Sequence, residues 1–260
     1  MRVALGISYN GQAYQGWQSQ SSGLTVQDKL EKALGTFTAQ RVSTLCAGRT
    51  DAGVHALMQV VHFDTDRERD PHAWTRGTNA NLPRDIAVQW AVLTTPSFHC
   101  RACATSRRYA YVLLESPVRP SVELGRVGWS FRPLDEAAMN QAAQYLLGEH
   151  DFTSFRAAQC QALSPIKNML SISIHRTGAY WRVEFEANAF LHHMIRNIMG
   201  CLVQIGQGKY PPEWMLDVLA ARDRMAAAPT FSPDGLYFLG PRYDAHWGMP
   251  ERTPAYDGLP

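Results

Sequence analysis

A chain of 260 residues, 45% of them hydrophobic and 18% charged, has the composition of a globular protein able to bury a sizeable core, as one large domain or two modest ones. Its 25 basic and 23 acidic residues leave a net charge of +2, so an anionic partner would have to be met by local clusters and not by the total. Five unevenly placed cysteines exclude a disulfide framework, and the absence of a long apolar run or an amino-terminal leader leads us to expect a soluble, cytoplasmic protein without membrane association.

Val3, Leu5, Ile7 and Tyr9 alternate and predict a strand that ends at Asn10-Gly11. The Gln-rich stretch from Gly11 to Gly23 reads as a surface loop containing Trp17. Thr25 can cap a helix whose Val26, Leu30, Ala33, Leu34 and Phe37 form one apolar stripe. Strands near Val42–Cys46 and Ala56–Phe63 then flank the loop Cys46-Ala47-Gly48-Arg49-Thr50-Asp51-Ala52-Gly53-Val54-His55. Its glycines permit a sharp turn and close approach by another backbone. Taken alone, Asp-x-Gly is also ordinary hairpin chemistry. A mixed charge run over residues 64–70, a short helix over His72–Asn79 and a strand over Ile86–Leu93 follow.

Cys100-Arg101-Ala102-Cys103 is a CxxC with no second pair at zinc spacing, so neither a metal site nor dithiol chemistry is expected there. Between His99 and Arg132, Arg101, Arg107, Arg108, Arg119, Arg126 and Arg132 stand against Glu115 and Glu123, a density suited to phosphates or to a solvated face. Tyr109–Leu114 is apolar on both faces and predicts a central strand. Pro133 precedes a predicted helix over Leu134–Leu147 that stops at Gly148. Leu170, Ile172 and Ile174 alternate, Gly178 turns the chain, and Trp181, Val183, Phe185 and Ala187 continue. Asn188 can cap a helix carrying Leu191, Met194, Ile195, Ile198, Met199 and Leu202 that closes at Gly206. Pro211 and Pro212 open another helix to about Arg224, and Leu236–Leu239 predicts the last strand. Each half therefore reads β-α-β-β-α-β, the second with one extra helix. We expect an α+β fold with an N-terminal half over residues 1–104, a C-terminal half over 105–248 and an irregular tail over 249–260.

Arg49-Thr50-Asp51-Ala52-Gly53-Val54-His55-Ala56 resembles the signature of the TruA family of tRNA pseudouridine synthases. Tyr9-Asn10-Gly11 with Gly16-Trp17-Gln18, Asn79-Ala80-Asn81-Leu82-Pro83, Arg107-Arg108-Tyr109, Asp151-Phe152-Thr153-Ser154-Phe155 and Asn188 to Asn197 resemble further family segments in the same order. Asn10, Ser19 and Ala102 depart from the family pattern. The resemblance implies two ferredoxin-like halves with antiparallel or mixed sheets around a central active-site cleft. It also implies an isomerase that converts uridine to pseudouridine at positions 38, 39 and 40 of the tRNA anticodon stem-loop, working as a homodimer and without a cofactor or metal. Within it, Asp51 would be the essential carboxylate, Arg196 its ion-pair partner, Tyr109 the ring on the target base, Leu236 an apolar pocket wall and Arg49 the side chain that replaces the extruded nucleotide. Arg101, Arg107 and Arg108 would hold RNA. On position alone, Arg196 equally suits a snorkelling arginine, while Tyr109 and Leu236 suit plain core residues. The residues leave open a ferredoxin-like RNA-binding or chaperone module whose chemistry is incidental, whereas a base deaminase would need a zinc triad that the sequence lacks.

Overall fold

Strand β1 (Arg2–Tyr9) forms because its alternating large residues can face one layer while Ala4 and Gly6 face another. The computed structural model describes residues 1–251. Residues 252–260, most of the expected tail, lie outside the described residues. Among the described residues the chain divides into two units, one of residues 1–107 with 237–251, the other of Arg108–Leu236. Among the described residues there are five α-helices, and the fold is α+β with mixed strand pairing in each unit. No helix among them is long and apolar enough to cross a membrane.

In the first unit β1 lies between β3 (His55–Asp64) and β4 (Ile86–Thr94), antiparallel to both. A two-residue β2 (Leu45–Cys46) pairs antiparallel with β3, and β10 (Leu236–Tyr243) pairs parallel with it through Tyr237↔His55 and Phe238↔Ala56. Helix α1 (Val26–Thr38) starts where the Thr25 side chain accepts from Asp28 N, and α2 (Pro71–Asn79) starts on an Asp70 cap with proline in its first turn. Both helices and β3 meet at fully buried Trp74, whose indole packs edge-on against Phe37 and Phe63 at 5.5 and 5.3 Å.

The alternation in β1 predicts one buried face, and the structure buries two. Ala4, Met58 and Val60 cluster with Ala47, Phe98 and Cys100, against which Trp90, Tyr243, Trp247 and Met249 pack. Gly6 has no Cβ because the Trp90 indole and Met58 sulfur occupy that space. Arg2 closes this layer by donating to the Pro96 and Phe98 carbonyls at 2.6 and 2.7 Å and to both Asp64 oxygens at 2.8 Å.

In the second unit β5 (Ala104–Glu115, which enters from the first unit), β9 (Tyr180–Ala187), β8 (Ile166–Thr177) and β7 (Gly148–Asp151) are hydrogen-bonded neighbours in that order. Strands β8 and β9 form an antiparallel hairpin, and β6 (Gly128–Ser130) runs parallel to the end of β5. Helix α3 (Glu136–Gln144) begins on an Asp135 cap. Helix α4 (Met194–Gly206) is buried almost all round, and α5 (Trp214–Ala221) ends at Arg222, whose φ is 48°. Gly206 lets α4 approach Met139 of α3.

Four expectations change here. Helix α3 is shorter than Leu134–Leu147, and Gly148, with φ +91°, is the first residue of β7. Helix α4 is not capped by Asn188; that side chain accepts from Asn168 N at 3.0 Å, and the helix starts six residues later behind left-handed His193. Helix α5 stops short of Arg224. Strands β6 and β7 are too short for any periodicity to announce, so the second half carries two strands beyond the expected order.

His62 on β3 is 3% exposed, with its Nδ1 accepting from Cys100 N at 3.3 Å and its ring against His99 at 4.8 Å. Burial first, then the Arg2 and His99 charges, lower its pKa from the ordinary 6.5 to about 4. Between these values the unfolded chain binds the extra proton and the folded protein does not, so stability falls as pH drops from 6.5 toward 4. His62→Asn, which keeps an acceptor but cannot titrate, should show a shallower decline of Tm than the parent across this window. Thermal unfolding at a series of pH values measures this, and an unchanged slope would assign the acid sensitivity to other groups.

Candidate active site

The Asp51 loop connects β2 to β3, and its backbone is held from both sides. Ala47 N donates to Val60 O at 2.8 Å, and fully buried Gln59 donates to the Gly48 carbonyl at 2.5 Å. Across from these, Trp17 N donates to Thr50 O at 3.0 Å and Gly53 N to Tyr14 O at 3.3 Å. The turn closes through Val54 N to Asp51 O at 3.1 Å, with Gly53 at φ +80°. Gly11 N donates to His55 Nδ1 at 3.0 Å, and the His55 ring stacks on Tyr237 at 4.6 Å.

Thr50 is the pivot of this loop. It is buried, and its hydroxyl shares a 2.7 Å hydrogen bond with the buried Tyr9 hydroxyl. Burial pushes the Tyr9 phenol up, so it stays protonated throughout the working range. On either side of Thr50, Arg49 is exposed and Asp51 is half-buried. A buried anchor between two outward neighbours fixes the direction of both side chains at their Cα atoms. Trp17, read from sequence as part of a surface loop, is instead 1% exposed and lies 6.0 Å from the Tyr9 ring. The 10–17 stretch is therefore a wall of the Asp51 loop. Sequence reasoning passed over Thr50 and Tyr9, although a hydroxyl between Arg49 and Asp51 was visible.

In the second unit, Tyr109 on β5 is buried and meets Phe190 edge-on at 5.1 Å. Arg196 sits in the first turn of α4, half-buried, with its Nε donating to the Phe231 carbonyl at 2.9 Å. Phe231 N in turn donates to Arg196 O at 3.1 Å. Leu236, 5% exposed, follows Gly235, whose carbonyl accepts from Val112 N of β5 at 2.8 Å. The segment between Phe231 and Leu236 thus ties Arg196 to β5, and Asn197, Phe231 and Thr230 within this network were not anticipated. The available signal was an asparagine leading into the apolar run Ile198–Val203, and the structure buries it fully.

The arginine cluster divides in two. Arg101 Nε donates to Cys46 O of β2 at 3.3 Å, tying the two segments together, and Arg107 donates to the Arg101 and Ala104 carbonyls at 2.5 and 3.2 Å, bracing its own segment. Arg108 is half-buried on β5. Arg119, Arg126 and Arg132 are exposed, with Arg132 over the Phe131 ring at 5.2 Å.

His62, His99 and Cys100 bring three ligand atoms within 4.8 Å of one another. Their chemistry does not fit a cation. Nδ1 of each histidine accepts backbone N–H groups, and the Cys100 thiol donates to Leu45 O at 3.2 Å. Burial pushes that thiol up to about 12, and the Arg2 charge faces the same cluster. The group is a hydrogen-bonded core element.

A family model described as tRNA pseudouridine synthase matches residues 6–101 and 142–244, which include Arg49, Asp51, Arg101, Arg196 and Leu236. The chain is 70% identical over 260 residues to tRNA pseudouridine synthase A of Albidiferax ferrireducens, covering all of both chains. It is 71% identical over 264 residues to the protein of that name from Polaromonas sp. and 65% identical over 260 residues to that of Methylibium petroleiphilum, again over the full length of each. Among solved structures, one from a Cbf5–Nop10–Gar1 complex is similar with a TM-score of 0.39 and 12% identity, covering 91% of this chain and 48% of that one.

Gly16 presses on the Asp51 loop with φ +87°, and a Cβ there would stand 2.7 Å from Thr50 O. Gly23 is also left-handed, with φ +66°, but a Cβ there would meet nothing. Gly23→Ala should cost only the torsional penalty of about 1–2 kcal/mol and leave activity intact. Gly16→Ala should lower Tm further and slow turnover as well, because the backbone around Thr50 must shift. Equal effects of the two substitutions on Tm and on product formation would contradict this account of the loop.

Proposed function

The chain belongs to the tRNA pseudouridine synthase family, and from that premise we propose that it converts uridine to pseudouridine at positions 38, 39 and 40 of the tRNA anticodon stem-loop with Asp51 as the essential carboxylate. The reaction breaks the C1′–N1 bond, turns the uracil and joins C1′ to C5; the C5 proton is lost and N1 gains one. Nothing is oxidised, and no group leaves for good, so the chemistry asks for an ionised carboxylate, a cation beside it, a pocket for the base and a proton acceptor. The observation that carries the assignment is the Asp51 loop itself, in which a half-buried carboxylate follows a threonine anchored at 2.7 Å to a buried tyrosine.

In this reading Asp51 attacks C1′ or C6, or takes the C2′ proton to give a glycal. Arg196 keeps it ionised, and a planar fork whose Nε is already held by Phe231 O suits that task. Tyr109 stacks on the base and accepts the C5 proton, Leu236 forms the apolar wall, and Arg49 fills the space of the extruded nucleotide. Arg49 is exposed on a pinned loop, which supports that last role. The halves, residues 1–104 and 105–248, act as two ferredoxin-like modules. A homodimer in the cytoplasm, with one tRNA touching both subunits, completes the proposal. Arg101, Arg107 and Arg108 grip RNA in it.

Asp51→Asn should fold and bind unmodified tRNA like the parent yet form no pseudouridine in a single-turnover assay without added cofactor. Arg196→Ala should also lose most product formation. Substantial turnover by the Asn variant would sink the assignment, and normal turnover by Arg196→Ala would remove the arginine from it.

Serving three adjacent uridines with one pocket favours grip on the backbone over reading of base edges, because phosphate contacts position without specifying. Neutralising exposed Arg119, Arg126 and Arg132 together should weaken binding for all three target positions alike and flatten the salt dependence. A loss confined to one position, with the salt slope unchanged, would show site reading instead.

A further inference from the structure

The segment from Ala227 to Gly235 is laid along one side of α4. Ala228 N donates to Cys201 Sγ at 3.4 Å, the Pro229 carbonyl occupies the space where Gly200 would carry a Cβ, and Thr230 Oγ1 donates to Asn197 Oδ1 at 2.7 Å. Phe231 and Arg196 then exchange their two bonds, and beyond them Tyr111 donates to the Ser232 carbonyl at 2.8 Å. The helix partners Cys201, Gly200, Asn197 and Arg196 recur at the spacing of one helical face. Arg224 locks the start of the strap, with Nη2 at 3.1 Å from Asn197 Oδ1 and 3.0 Å from Thr230 Oγ1 and Nη1 at 3.3 Å from Ala227 O. Asn197 Nδ2 completes the network on Phe155 O at 2.8 Å.

We propose that Asn197, Thr230 and Arg224 are positioning residues for uridine isomerisation, holding this strap in register on α4 so that the Phe231 carbonyl aims the Arg196 guanidinium. The inference rests on Arg196 acting in the reaction as described above. A long arginine stem has many rotamers, and an acceptor on Nε selects the plane in which its remaining donors lie. That acceptor is a backbone atom, so its place depends on what fixes the strap. An apolar residue at position 197 would suit the surrounding helix at a lower cost of desolvation. A fully buried asparagine with both ends of its amide engaged specifies register, which greasy packing alone leaves loose. The Thr230 hydroxyl both donates and accepts, so valine can replace its volume but neither bond, and serine can restore both.

The test compares Thr230→Val and Thr230→Ser on unmodified tRNA, with kcat, KM, single-turnover rate and Tm measured for each. Misaiming a group that acts on the reacting atoms costs up to roughly a hundredfold, so Thr230→Val should lower kcat and the single-turnover rate by roughly tenfold or more with KM unchanged. Thr230→Ser should recover most of that loss. Arg224→Gln, which leaves Asn197 and Thr230 bonded to each other, should give a smaller loss in the same parameter and serves also if the valine variant folds poorly. Normal kcat in the folded Thr230→Val or Arg224→Gln protein, or a serine variant as slow as the valine one, would overturn the proposal. Arg196→Ala, assayed in parallel, separates the two failures. Normal turnover there removes the underlying reading, while slow turnover beside an unaffected Thr230→Val removes only the positioning role.

Discussion

The hydrogen bond between the Tyr9 and Thr50 hydroxyls is the contact from which the first unit's geometry can be understood. Asp51 is half-buried on a loop, and loops are mobile unless they are tied down. Its direction has to come from a neighbour that is not at the surface. Thr50 supplies that neighbour, and β1 supplies the tyrosine because the strand's last residue ends under the loop. The rest of the unit can be read as support for this arrangement. Trp17 is buried to back the 10–17 stretch, Gln59 reaches from β3 to the Gly48 carbonyl, and Gly11 and Gly16 lack side chains because Val54 and Thr50 backbone atoms lie where a Cβ would be.

The second unit solves a related problem with a cation. Arginine on a helix rim is mobile by default, since its stem prefers apolar cover and its head prefers water. In this protein the helix is buried almost all round, and an irregular segment covers the turn that carries Arg196. Irregular chain brings unpaired N–H and C=O groups with it, and burying them unbonded would be costly. The strap's groups are bonded to α4 and β5 instead, so the bonds that satisfy it also hold the Phe231 carbonyl against Arg196 Nε.

Strands and helices long enough to show a period were legible in the sequence. β1, α1, β3, α2, β4, β8 and β9 fall close to where alternation, caps and apolar stripes put them. What escaped was set by partners far away in the chain. Ala4 and Gly6 carry no sign that a second layer, built from residues 95–103 and 243–249, will bury them. Trp17 sat among glutamines, and only its distant contacts with β1 explain why it is inside. The start of α4 was misplaced because Asn188 is an equally good strand-end residue, and its side chain is used by Asn168 of the neighbouring strand. Among site residues the loop of Asp51 stood out through its glycines and charges. Its anchor did not, because the meaning of Thr50 lies in a tyrosine 41 positions away.

Both units therefore place a half-buried charge by the same local device, a bonded group at or beside the charged residue that ties it to a second segment. For Asp51 the bonded group is the preceding side chain; for Arg196 it is the residue's own carbonyl, with the following Asn197 fastened to the same strap. The device has a physical advantage over fixing the charged group itself. Every hydrogen bond spent on a carboxylate or a guanidinium within the protein is one fewer available to the reacting atoms. Bonds made by the neighbour remove backbone freedom without drawing on the charged group itself. The bond from Arg196 Nε to the Phe231 carbonyl fixes the plane in which the guanidinium lies. Positioning by neighbours also confines the damage of substitution, since a change at Thr50 or Asn197 disturbs direction before it disturbs charge. Direction and charge are thus carried by different residues in each unit, and kinetic measurements can separate them.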